Sequence, residues 1–198
     1  MSLLAFRPPL RLQPPRPVSP VKFSFVQRKF TPRTVFMEIG AADCSLALHA
    51  ATYVERVYSV DVSGQFLHNV LVPCNVRLVL CDGVRIPVPE ASVDLAWSGA
   101  FMDHLHPDDA REHLRNVRRS LRPAGEYLFT SMNRESLRER LLDAGFSAAS
   151  CWLGCARIPW AARRFVPREL LRISARVEPN GLTPKMHLPS TRHAGPLT

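Results

Sequence analysis

Over residues 35–145 short apolar runs alternate with segments of helical periodicity, and that alternation leaves few folds open. The runs are Val35–Ile39, Val57–Val60, Val76–Leu80, Val93–Ser98 and Glu126–Ser131. Each is four to six residues long and rich in β-branched or aromatic side chains, too short for a buried helix. Their near-continuous apolarity suits strands covered on both sides. The pattern predicts an α/β fold, a doubly wound and mainly parallel sheet with helices on both faces.

Between the runs lie candidate helices. One starts at Asp43 or Ser45 and reaches about Tyr53, and a shorter one covers Gly64–Leu71. The clearest spans Asp108–Leu121, where Ala110, Leu114, Val117 and Leu121 recur at helical spacing. Pro107 and the two Asp residues favour its start, while Pro123 and Gly125 stop it. A last helix, Asn133–Ala144, closes at Gly145 and leads to a weak strand at Ser147–Leu153. Val21–Phe25 reads as a short strand or staple, and Pro167–Arg176 as helical. The expected organisation is a basic, Pro-rich extension over 1–32, a folded domain over 33–155, a basic helical extension over 156–178 and a disordered tail over 179–198.

The formal net charge of +9 suggests nucleic acid until it is mapped along the chain. Residues 1–37 hold seven Lys and Arg and no acid, and residues 156–198 hold eight against Glu169 and Glu178. The centre, 38–155, carries 11 basic and 15 acidic residues, so the basicity lives in the arms and says little about the ligand of the domain. No run of about 18 apolar residues offers a membrane span. Five cysteines, an odd number with no secretory signal, favour reduced thiols and a cytoplasmic setting. Cys151 and Cys155 lack a second Cys/His pair at zinc spacing, so no metal site is expected.

Four local patterns carry chemistry. Glu38-Ile-Gly-Ala-Ala-Asp runs from a strand into a small-residue turn and a helix start, where a ligand can approach backbone N–H groups. Asp61 closes the second strand 21 residues after Gly40, and an acid there can accept both hydroxyls of an adenosine ribose. Asp82-Gly83 ends the third strand, a carboxylate beside a glycine that lets a base lie close. Arg85–Ser98 is a proline-stiffened loop into strand four, whose carboxyl end faces the ligand side in open α/β sheets.

In order and spacing, the span Val35–Thr130 resembles the class I methyltransferases of the type 11 domain group. That pattern runs E-x-G-x-G, an acid ending strand two, D-G or D-A, P-x-P-x-x-S-x-D, E-H-L-H-P-x-D and R-x-L-x-P-G-G. Here it reads as Glu38–Ala42, Asp61, Asp82-Gly83, Pro87–Asp94, Asp103–Asp109 and Arg119–Gly125. Ala42 and Ala124 stand where the pattern has glycine, and Asp103 where it has glutamate. The resemblance implies a Rossmann-like sheet and S-adenosylmethionine as cofactor. It implies that Glu38, Gly40 and Ala42 cradle the methionine part, Asp61 the ribose, and Asp82 with Gly83 the adenine. Ala41, Val62 and Ser98 complete the candidate cofactor contacts. The family has two strands after the fifth, whereas this sequence offers one.

His104, in Met102-Asp-His-Leu-His, is a candidate general base, since imidazole titrates near neutrality. The expected reaction is methyl transfer to an oxygen or nitrogen of a small molecule. A second class stays open: a binding protein on the same fold, its basic arms contacting nucleic acid or another acidic partner. Arg163, Arg164, Arg168, Arg172 and Arg176, interleaved with Trp160 and Phe165, would form its basic helix face.

Overall fold

The computed structural model describes residues 17–18, 20–64, 72–131, 137–153, 156–161 and 171–179. In chain order the elements are α1 (Pro20–Gln27), β1 (Val35–Ile39), α2 (Ser45–Ala50), β2 (Arg56–Asp61), β3 (Val76–Leu80), β4 (Val93–Gly99), α3 (Pro107–Ser120), β5 (Leu121–Thr130), α4 (Leu137–Asp143), β6 (Ala148–Leu153), β7 (Ala156–Ile158) and β8 (Leu171–Arg176). They form one eight-stranded sheet in the order β3-β2-β1-β4-β5-β8-β6-β7. The first five strands are parallel, with β1 central: Ile39 faces Val60 on one side and Ser98 on the other. β8 then inserts antiparallel between β5 and β6. The doubly wound, mainly parallel sheet expected from the alternation is therefore present, with antiparallel strands at its C-terminal edge.

Strand alternation sorts the core into two layers. Val35, Met37 and Ile39 point to one face with Leu114, Val117, Leu137 and Leu141 of α3 and α4. Phe36 points to the other, where Val57, Leu95, Trp97 and Leu128 meet Val26 of α1 and Leu46, Ala47 and Ala50 of α2. Each fully buried Leu or Val contributes about 1.5–3 kcal/mol. α3 has Pro107 at its start, Asp108 and Asp109 in its first turn and Arg118 and Arg119 in its last, each sign matched to the helix dipole. Its N-cap is His106, whose Nδ1 accepts the Asp108 N–H at 3.4 Å.

Several boundaries differ from expectation. Val21–Phe25 lies in helix α1, not in a strand. The Phe23–Phe25 alternation fits either element, and packing decides. Phe23 meets His49 at a ring separation of 4.3 Å, and Phe25 meets Trp97 edge-on at 6.0 Å, so the segment covers the sheet instead of joining it. Leu121, expected to end α3, opens β5 opposite Val93. The strand then bulges through Arg122–Gly125 before Glu126 pairs with Leu95. Pro167–Arg176, expected as a helix, holds strand β8 over Leu171–Arg176, because the slot between β5 and β6 supplies backbone partners on both sides. Among the described residues three strands, not one, follow β5, and the sheet runs on past residue 155. Residues 65–71, 133–136 and 180–198, which carry parts of the expected Gly64–Leu71 helix, Asn133–Ala144 helix and terminal tail, lie outside the described residues, as do 1–16.

Candidate functional site

The carboxyl ends of β1, β2, β3 and β4 gather the expected site residues on one edge of the sheet. Glu38, near the end of β1, is buried, and its Oε2 accepts the Ala47 N–H of α2 at 2.9 Å. That bond fixes the helix against the strand that leads into the turn. Gly40 follows with φ +73, a conformation that disfavours any side chain. A Cβ there would also lie 2.8 Å from the Phe101 ring. The Gly40 and Ala41 N–H groups both donate to the Val60 carbonyl, at 2.9 and 3.2 Å. Ala42 and Cys44 continue the turn at φ +48 and +58. The Cys44 thiol is buried, accepts the Ser59 hydroxyl at 3.2 Å, and is pushed up in pKa by burial, so it is no nucleophile.

Asp61 sits at the tip of β2. Oδ2 accepts the Ala42 N–H at 2.7 Å, and Oδ1 accepts the Ser63 N–H at 2.8 Å. One side chain thus ties the β1 turn to the β2 turn. Val62, next to it, is about half exposed. Asp82 is exposed after β3, where its Oδ1 accepts the Arg85 and Val84 N–H groups at 2.6 and 2.9 Å. Those two bonds hold its carboxyl below the usual range, so it carries charge at neutral pH. Gly83 is buried at φ +92, bordered by Val62 and Leu105.

Helix α3 holds this third turn from behind. Nδ1 of buried His113 lies 3.0 Å from the Gly83 carbonyl, and Asn116 donates to the Val84 carbonyl at 3.1 Å. Burial lowers the His113 pKa to about 4, so the ring is neutral and Nδ1–H is the donor. Neither residue was expected in this role. Their i, i+3 spacing on the buried helix face was the available signal.

On β4 the expected contact Ser98 is fully buried. Its hydroxyl shares a 2.6 Å hydrogen bond with Tyr127, whose own pKa is pushed up by burial. That side chain braces the sheet interior, and its backbone lies in the ladder between Ile39 of β1 and Phe129 of β5. Beyond it, Ala100 donates its N–H to the Thr130 hydroxyl at 3.0 Å, and Ser131 donates to Asp103 at 2.7 Å. The 3-10 turn Phe101–His104 follows. His104 is exposed at its end, and no described neighbour orients the ring. Asp94, part of the family-like pattern, is structural. It accepts the Val35 N–H at 2.8 Å and both oxygens meet Arg122 Nη1, at 2.9 and 3.0 Å. Of the basic face expected over Arg163–Arg176, Arg172 and Arg176 lie on strand β8, and Arg163, Arg164 and Arg168 are outside the described residues.

Residues 37–129 match a family model described as a methyltransferase domain. No curated protein sequence matches the chain. Among solved structures, the chain is similar to one from the complex between the Haloferax volcanii Trm112 methyltransferase activator and a methyltransferase, with 15% identity, TM-score 0.63, and coverage of 80% of this chain and 89% of that one. It is similar to an S-adenosylmethionine-dependent methyltransferase from Mesorhizobium loti, with 14% identity, TM-score 0.60, and coverage of 79% and 97%. It is also similar to phosphoethanolamine N-methyltransferase 1 of Haemonchus contortus, solved with phosphoethanolamine and S-adenosylhomocysteine, with 18% identity, TM-score 0.59, and coverage of 80% and 42%. At such identities the likeness speaks for the fold, and the family model speaks for the domain. Within residues 37–129 this chain carries a methyltransferase domain.

Proposed function

We propose that the chain transfers a methyl group from S-adenosylmethionine to an oxygen or nitrogen of a small-molecule acceptor in the cytoplasm. The observation that carries the reading is Asp61. Each of its oxygens accepts one backbone N–H, and a carboxylate oxygen has room for a second donor, which suits a pair of vicinal hydroxyls. Glu38, Gly40, Ala41 and Ala42 would hold the methionine part, Asp61 and Val62 the ribose, Asp82 and Gly83 the adenine side, and Ser98, near the carboxyl end of β4, the floor.

When bound, the cofactor supplies an electrophilic methyl group on a sulfonium centre. The protein's part is to position the acceptor and exclude water. Phe101, packed over Gly40, supplies an apolar wall beside the turn. His104, exposed at the end of the following turn, is the candidate to accept the acceptor's proton. A small-molecule acceptor is favoured by the company the fold keeps, since the Haemonchus enzyme was solved with phosphoethanolamine. Buried thiols at Cys44 and Cys151 agree with a reducing compartment, and no helix among the described residues is long and apolar enough to cross a membrane. Calorimetric titration with S-adenosylmethionine and S-adenosylhomocysteine tests the reading. Saturable one-site binding of both is expected, and no heat at millimolar cofactor would overturn it.

A further inference from the structure

Arg172 is buried to 6% exposure on β8, and its Nε has no hydrogen-bond acceptor among the described residues. Its guanidinium lies 5.1 Å over the Phe25 ring. The indole Nε1 of Trp97, whose ring also meets Phe25, is a second buried donor without an acceptor. Two unanswered N–H donors around one aromatic ring are costly unless an acceptor arrives. Glu126, on the same sheet face, is already engaged. Lys29 meets it at 2.7 Å, and Arg176 Nε approaches at 3.5 Å, an ion pair without hydrogen-bond alignment.

The register says which end of the sheet this donor group occupies. Phe129 faces Ile173, which brings Arg172 beside Thr130 at the carboxyl end of β5, and Thr130 faces Gly99 at the carboxyl end of β4. Arg172 is therefore in the same row as the mouth of the site. A Cβ added at Gly99, on the Trp97 side of β4 by alternation, meets nothing within 4 Å, so the row holds open space. Gly99 is two strand spacings from Arg172, about 10 Å, which an extended guanidinium and a small acceptor can span. The β1 turn is three spacings away, about 14 Å, too far for Arg172 to serve a group seated on Gly40–Ala42.

We propose that Arg172, stacked on Phe25 and assisted by Trp97, binds an oxyanion of the methyl acceptor, so that the substrate class is a small molecule bearing a carboxylate or phosphate. Arginine's planar fork suits either group. The assignment of the anion to the acceptor rests on the methyltransferase reading above.

The test uses the full chain saturated with S-adenosylhomocysteine. Inorganic phosphate and, separately, acetate are titrated at constant ionic strength, with tryptophan fluorescence and calorimetry as readouts. Saturable millimolar binding of at least one anion is expected, with the tighter of the two naming the group. Arg172→Gln should weaken it about tenfold or more and Arg172→Lys by less, while both keep the product affinity within about twofold. Wild type that binds neither anion overturns the proposal, and so does Arg172→Gln that binds as wild type does. Displacement of the product by phosphate, with weaker product binding in Arg172→Gln, assigns Arg172 to the cofactor and also overturns it. If Arg172→Gln lacks a native circular dichroism spectrum, Arg172→Lys decides: unchanged anion affinity refutes the stacked fork. Absence of product binding in wild type refutes the methyltransferase reading instead, and the same titration of the unloaded chain still decides whether Arg172 is an anion site.

Discussion

Asp61 and Ala42 are joined by a 2.7 Å hydrogen bond from the Ala42 N–H to the Asp61 carboxylate, so the proposed ribose acceptor also shapes the loop proposed to hold the methionine part. Local structure and ligand binding are coupled in one side chain. Removing it therefore has two readouts.

Asp61→Ala should weaken S-adenosylmethionine binding at least about tenfold, since hydrogen bonds to a charged group contribute about 1.5–3 kcal/mol each and about 1.4 kcal/mol is a decade. It should also lower stability by about 1–3 kcal/mol, because the Ala42 and Ser63 N–H groups lose their acceptor. Calorimetry and urea denaturation read the two effects. Equal cofactor affinity in wild type and Asp61→Ala would show that the ribose lies elsewhere.

Ala42 and Ala124 should be stabilised by glycine. Among the described residues five non-glycine positions take positive φ, four of them alanine, with Ala42 at +48 and Ala124 at +64. A left-handed L-residue costs about 1–2 kcal/mol, partly offset by the larger unfolded-state entropy of glycine. Each substitution should raise the free energy of unfolding by up to about 1 kcal/mol, read as a higher urea midpoint at unchanged m. Gly125→Ala should do the reverse, because its Cβ would lie 2.8 Å from the Arg122 carbonyl oxygen. A loss of stability in Ala124→Gly would refute the strain account.

Stability should fall as pH drops from about 6.5 to about 4. The buried His113 ring has a folded pKa of about 4, below its unfolded value of 6.5. In that window the unfolded chain binds a proton that the folded chain refuses, so ΔG of unfolding rises with pH there. The stability is complete above 6.5 and is lost towards 4, on the order of 3 kcal/mol. Denaturation midpoints of wild type and His113→Gln across this range test it. The variant should show a shallower slope, and identical slopes would sink the claim.

Asp94→Ala should cost more than Arg122→Ala. Asp94 holds the Val35 N–H at the start of the central strand as well as Arg122, and both side chains of the ion pair are more than a third exposed. Losing the Val35 bond costs about 1.5–3 kcal/mol, whereas the solvent-screened pair alone contributes about 0–1 kcal/mol. A double-mutant cycle should return a coupling below about 1 kcal/mol. A larger coupling would mean that the ion pair dominates.

Much of the centre could be read from the chain. Val35–Ile39 and Val76–Leu80 coincide with β1 and β3; β1 is central and buried at every residue, where an apolar run leaves little freedom, while β3 is the half-exposed edge strand. The place of Asp61 at the end of β2 was legible, though its grip on Ala42 requires knowing how the two turns meet. β8 was not legible. Arg172, Ser174 and Arg176 alternate with Ile173 and Ala175, a pattern that commits to a strand only once β5 and β6 offer their edges. Nor could sequence show that the Ser98 hydroxyl is spent on Tyr127, 29 residues away.

The place of β8 between β5 and β6 also sets the order in which the molecule can assemble during synthesis. β6 and β7 form a local hairpin, but β6 has no route to β5 until the segment that includes Leu171–Arg176 has left the ribosome and threaded between them. Until then the nascent sheet ends at β5, an open hydrogen-bonding edge that carries Leu128 and Phe129 on opposite faces. The parallel half can form from residues already made, whereas the antiparallel half waits for distant contacts, which are slow to close. A chain whose β5 has formed while β8 is not yet in place therefore presents a half-sheet whose open edge is ready to pair with another chain.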